Sequence, residues 1–100
     1  MQNPPQVCAI PSIDERDYYA ILGMVPDEET RGELCSHDFW IKKCERIKNE
    51  MARRGVTVHE INVTPDMLRA WCSAQKVEPT FSEAAQIASF ELAKRLGAFS

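Results

Sequence analysis

Four cysteines and two histidines are the residues of this chain with the types needed for metal binding or nucleophilic chemistry. They are Cys8, Cys35, Cys44, Cys72, His37 and His59. Cys35-Ser36-His37 sets two ligand types close together, with Cys44 and His59 further on. Tetrahedral zinc sites draw on closely spaced pairs of thiolates or imidazoles, because one short segment then supplies two corners of the tetrahedron. The chain has no C-x-x-C and no H-x-x-x-H, so no metal site and no cofactor are expected. A cysteine nucleophile needs a thiolate beside a base. Cys35 with His37, or any cysteine with His59, has the right chemistry but not a spacing that enforces contact. No catalytic residue is assigned, and an enzyme is the weakest expectation.

The carboxylates and glycines carry no better signature. Asp27, Glu28 and Glu29 follow Pro26, where acids favour the positive end of a helix dipole. Gly23, Gly32, Gly55 and Gly97 are scattered. They form no phosphate-binding loop and suit helix ends.

The basic residues are less evenly spread. Lys42, Lys43, Arg46, Lys48, Arg53 and Arg54 are half of the 12 in the chain. On one helix they make a face that can contact phosphates, with Lys42, Lys43, Arg46, Arg53 and Arg54 as its nucleic-acid-binding set. Glu45 and Glu50 interrupt it. The alternative is a solvated face held by pairs such as Arg46 with Glu50, four residues apart. Residues 64–75 and 80–96 have the outline of a helix-turn-helix. The second helix opens Phe81-Ser82-Glu83-Ala84-Ala85-Gln86, and only Gln86 suits a reader of the major groove. A packed helical hairpin fits better.

These side chains need elements to hold them. The chain has 100 residues, 44% of them hydrophobic, which is enough for one core. The formal net charge is -3 with 27% charged residues, so nucleic-acid binding by the whole surface of this small acidic protein is not expected. No apolar run approaches a membrane span, and residues 1–6 resemble neither a secretory signal nor a transit peptide. A cytoplasmic setting with reduced cysteines is the expectation; two disulfides remain the alternative.

Residues 1–6, with Pro4 and Pro5, are expected to be a flexible tail, and residues 7–100 a single helical domain. Ser12-Ile13-Asp14-Glu15 fits a capping box for a helix over about 13–22, closed by Gly23. A short helix is expected to begin at Pro26. Trp40, Cys44, Ile47 and Met51 recur at helical spacing between the cap Ser36 and the stop Gly55, predicting a helix over 37–54. Thr64-Pro65-Asp66 opens a helix to about Gln75, and Thr80-Phe81-Ser82-Glu83 opens another to about Leu96. Trp40, Trp71, Phe90 and the aliphatic residues are expected to form the core.

Asp17-Tyr18-Tyr19-Ala20-Ile21-Leu22-Gly23 resembles the opening of the J-domain, a co-chaperone module. The resemblance covers seven residues and implies a following basic helix, faintly echoed by Ile41-Lys42-Lys43 and Arg46. It also implies a His-Pro-Asp loop, and this chain has none. No function or site is carried over from it.

Val56–Val63 is the best strand, rich in β-branched residues. Val56 and Val58 share one face while Ile61 and Val63 share the other, so either a bulge near His59 or burial on both faces is implied. The fold class expected is mainly α (α+β), with four or five helices and a short β element near residues 56–63. Residues 7–10 can pair with it, or a second copy can do so across a dimer. The function pointed to is a non-enzymatic protein–protein interaction or regulatory module that self-associates as a homodimer. Its speculative interface residues are Val58, Ile61, Val63, Phe90 and Phe99. A nucleic-acid-associated protein is the alternative, and no membrane partner is expected.

Overall fold

A computed structural model describes residues 6–33 and 36–97. Among them the order is β1 (Gln6–Ser12), α1 (Glu15–Met24), α2 (Glu28–Glu33), α3 (His37–Arg53), β2 (Val56–Asn62), α4 (Pro65–Gln75) and α5 (Phe81–Arg95). The fold is mainly α with a small two-stranded sheet. Parallel strands need a long crossover, and α1, α2 and α3 provide it between β1 and β2.

The partner of β2 is β1. The two strands run parallel in unbroken register, from Gln6 beside Val56 to Ser12 beside Asn62. No bulge interrupts the ladder. The phase change in β2 instead reflects cover on both sides. Lys48 of α3 reaches Glu60 at 3.3 Å, so the face bearing Val58 and Glu60 looks toward α3. Ile61, at 2% exposure, lies on the opposite face, and α5 packs against both strands. Strand pairing therefore extends beyond residues 7–10. Gln6 belongs to β1 rather than to a tail, and Pro11 stands within the strand rather than ending it. Residues 1–5 lie outside the described residues.

Local capping explains most helix starts. Ser36, Thr64 and Thr80 accept hydrogen bonds from the N–H groups of Phe39, Met67 and Glu83. The Glu83 carboxylate does not complete a capping box; it accepts from Trp71 Nε1 at 2.7 Å and ties α4 to α5. The Ser12 capping box does not form either. The Ser12 carbonyl accepts from Val63 N–H at 3.0 Å, and Asp14 becomes the N-cap with no side-chain bond. Gly23 lies inside α1, which runs to Met24. Val25 ends it in extended conformation, as the residue before a proline prefers. The short helix starts after Asp27, not at Pro26: the Asp27 carboxylate accepts from Glu29 N–H and from the Thr30 hydroxyl. That hydroxyl bond, first among the causes, holds the Asp27 carboxyl below its usual range.

One core joins these elements. Tyr18, Ile21, Leu68, Val63 and Ala84 are all but inaccessible. Trp40 and Phe81 are in it too, whereas Trp71 is half-buried and Phe90 is 41% exposed. Phe90 packs against Trp71 at the surface, with ring centroids 5.6 Å apart and the planes tilted by 60°. Among the described residues no helix is long and apolar enough to cross a membrane.

Lys76 ends α4 in the left-handed region, at φ 58°. A Cβ is unfavourable there, and glycine is free of that cost. Lys76→Gly is expected to raise stability by about 0.5–1 kcal/mol. A urea midpoint shifted upward at unchanged slope would show it; a downward shift would mean that the lysine stem is held by packing.

Candidate functional site

The clearest concave feature is a groove of about 320 Å³ along the outer edge of β1. Its floor is Ala9, Ile10 and Pro11. One wall is α3, where the stripe Trp40, Cys44, Ile47 continues past the part that packs on the sheet. The other wall is the start of α5, with Phe81 and Ala85. The lining is mostly apolar, and Lys43 stands in it as the cation. The walls meet where Trp40 packs on Phe81, at 5.1 Å between ring centroids, while α3 packs against β2 and α5 lies across both strands on the opposite face. A second hollow follows β1 toward its N-terminus, between Val7 and Ala9 and the later turns of α5 at Ser89, Ala93 and Leu96. Val7 and Leu96 are 40% and 57% exposed there.

The basic residues of α3 divide into two sets. Arg54 pairs with Glu50 at 2.9 Å and Lys48 with Glu60 at 3.3 Å. Lys42, Lys43, Arg46 and Arg53 are exposed and make no ion pair among the described residues. Their spacing of one, three and seven residues puts Lys42, Arg46 and Arg53 on one outward face, with Lys43 turned toward the groove.

Among the described residues the thiols and imidazoles do not converge. Glu60 acts on Cys44 and shares the α3 face of the sheet, whereas His59, the next residue along the strand, points to the other face. His37 Nε2 donates to the Ile13 carbonyl at 2.8 Å, and its ring lies 5.3 Å from that of Tyr18. Cys35 lies outside the described residues. Among the described residues no group of three or more His, Cys, Asp or Glu is arranged to hold a metal ion.

Burial pushes the thiols of Cys44 and Cys72 above their usual value; nearby Glu60 and Glu83 respectively push the same way. Lys48 and Lys43 oppose the shift at Cys44 without cancelling it. A raised thiol is stabilising while it stays protonated. That contribution is complete below the unfolded thiol's value and is lost as pH rises through the folded value. Cys44 is therefore expected to react with iodoacetamide at pH 7.5 more slowly than a free thiol, since the thiolate is the nucleophile. Site-resolved mass spectrometry over time checks this. Reaction at the free-thiol rate would mean that the groove is open to the thiol and its ionisation unhindered.

The speculative interface residues fare unequally. Ile61 and Val63, at 2% and 0% exposure, are core residues and offer no surface. Val58 is half-buried and packs on the core. Phe90 is exposed, and Phe99 lies outside the described residues. Sequence reasoning missed the groove because its floor and walls come from three separate stretches of chain. The only hint was Pro11 beside an apolar run, the mark of an edge strand. No known family, the J-domain included, no curated protein and no solved structure matches this chain.

Proposed function

We propose that this chain is a non-enzymatic protein-interaction or regulatory module whose partner docks in the groove between α3, β1 and α5. The observation that carries the reading is the groove itself: an apolar trough with Trp40 and Phe81 in its walls and a cation on its rim. Aromatic anchors in a desolvated trough are the usual source of interface energy. The described cysteines Cys8, Cys44 and Cys72 are free, which fits a reducing, cytoplasmic setting. The self-association expected from the sequence drew on β2 lacking a mate. β1 is that mate, so a dimer is no longer needed to pair the strand.

A photo-cross-linking residue at Ala85, in the groove wall, is expected to give a discrete adduct in cells. The same residue at the exposed Ser73 of α4 should give none. No adduct, or the same adduct from both positions, overturns the reading. An adduct at twice the chain mass identifies a second copy as the partner.

One observation favours a second reading. Lys42, Arg46 and Arg53 form a cationic stripe suited to phosphates, with no ion pair among the described residues. Duplex DNA binding with a steep salt slope, reduced when Lys42, Lys43 and Arg46 become Gln, would support it. The flanking Asp38, Glu45 and Glu50 weaken this reading against the first.

A further inference from the structure

We infer that the free edge of β1 accepts an acidic, extended segment of a partner protein as a third strand, laid in the groove between α3 and α5. This rests on the docking reading above and specifies the occupant.

The backbone parity of β1 is fixed by one bond. Val63 N–H donates to the Ser12 carbonyl, while Ser12 stands in register with Asn62. In a parallel ladder, main-chain groups of alternate residues point to the same neighbour. Gln6, Cys8, Ile10 and Ser12 therefore bond β2. Val7, Ala9 and Pro11 direct their main-chain groups the other way, into the groove. That edge presents the N–H groups of Val7 and Ala9 and the carbonyls of Val7, Ala9 and Pro11. Among the described residues no strand pairs with them. Pro11 stands where its missing N–H removes nothing from the ladder.

Edges are normally guarded by charged side chains, proline, bulges or cover. β1 carries Pro11 at one end but no charged residue and no bulge, whereas β2 carries Glu60, tied to Lys48. The groove between α3 and α5 adjoins this edge at Ala9, Ile10 and Pro11. Ser82, Ala85, Ser89 and Ala93 face it from α5 with small side chains that let a backbone approach.

Charge selects the occupant. Lys43 lines the groove and makes no ion pair among the described residues, while Lys42 and Arg46 lie on the outward face of α3. An acidic side chain on the α3 side of an added strand would meet Lys43, and complementary potentials speed and orient such encounters. A second copy fits less well. Antiparallel pairing of two β1 edges keeps each sheet face on one side, so the basic flank of α3 would lie beside its own symmetry mate.

The test is selection of short random peptides displayed on phage against the full chain. The selected sequences are then synthesised and titrated against Ala9→Pro, Lys43→Glu and Ala85→Gln. Ala9→Pro removes an outward N–H and adds a ring beside the core, and Lys43→Glu alters an exposed residue; circular dichroism confirms that each variant keeps the fold before its affinity is read. Acidic peptides are expected, with affinity falling about tenfold or more in Ala9→Pro and Lys43→Glu (about 1.4 kcal/mol). In the unaltered chain, peptide should slow amide exchange at Val7 and Ala9. Binding that Ala85→Gln abolishes, but that ignores Ala9→Pro and leaves those amides unprotected, overturns strand addition and leaves the docking reading standing. Selected peptides without excess acid overturn the charge assignment. A dimer that Ala9→Pro dissolves makes a second copy the occupant and overturns the acidic partner. No selected peptide, or binding indifferent to all three variants, overturns both readings.

Discussion

Phe81→Ala is expected to destabilise the chain by about 3–5 kcal/mol, the range for truncating a buried aromatic residue. Phe81 is the first residue of α5 and is 7% exposed. Its ring lies 5.1 Å from Tyr18 of α1 and 5.1 Å from Trp40 of α3, so one side chain joins three helices distant in sequence. The cavity left by truncation opens where these helices meet the groove. A chain of this length has a total stability of roughly 5–15 kcal/mol, so the variant sits near its unfolding threshold. Urea titration followed by circular dichroism should show a midpoint shifted far down at unchanged slope. Phe81→Leu keeps most of the volume and should cost less, about 1.5 kcal/mol. A loss below about 1 kcal/mol in Phe81→Ala would mean that the aromatic cluster is not what holds α5 to the first helices.

Phe81 also shows where sequence reading stops. The interval from Thr64 to Gln75 was legible almost to the residue, because cap, proline and acid stand together in a local signal that no distant contact overrides. The α3 stripe was legible for the same reason: Trp40, Cys44 and Ile47 repeat along one helix. A residue in the first turn of a helix has no such repeat before it. The sequence reading therefore put Phe90 in the core and left Phe81 out, whereas the packing of α1 and α3 on the start of α5 buries Phe81 and leaves Phe90 exposed. Ser12 failed for a related reason. Its side chain fits a cap, but its carbonyl is taken by Val63, more than half the chain away. The cations of α3 could be named from the sequence, whereas the pairing of Lys48 with Glu60 across to β2 could not. The groove was least legible of all, since it exists only where β1, α3 and α5 meet.

Ile10→Pro is expected to be the most damaging single change in β1, and its contrast with Ala9→Pro tests the strand parity on which the free edge depends. The side-chain loss alone, measured as Ile10→Ala, should cost about 2–5 kcal/mol for a residue with 7% exposure. Proline at the same position also removes an N–H directed at β2 and leaves its acceptor unpaired between two packed layers, which adds about 1–3 kcal/mol. Together these approach the whole stability of the domain, and the chain should be largely unfolded by circular dichroism at room temperature. Ala9 is half-buried, its N–H faces the groove, and the residue before it is already extended, as a proline requires. Ala9 packs against the core, so the added ring of Ala9→Pro should cost about 1–3 kcal/mol while a cooperative unfolding transition remains. The gap between the two prolines, after subtracting Ile10→Ala, isolates the main-chain contribution and assigns the hydrogen-bonded side of β1. If Ala9→Pro proves as destructive as Ile10→Pro, the ladder to β2 runs through Val7, Ala9 and Pro11 instead. The edge facing the groove would then have to be carried by Cys8 and Ile10, and Pro11 would sit where a ladder bond is required.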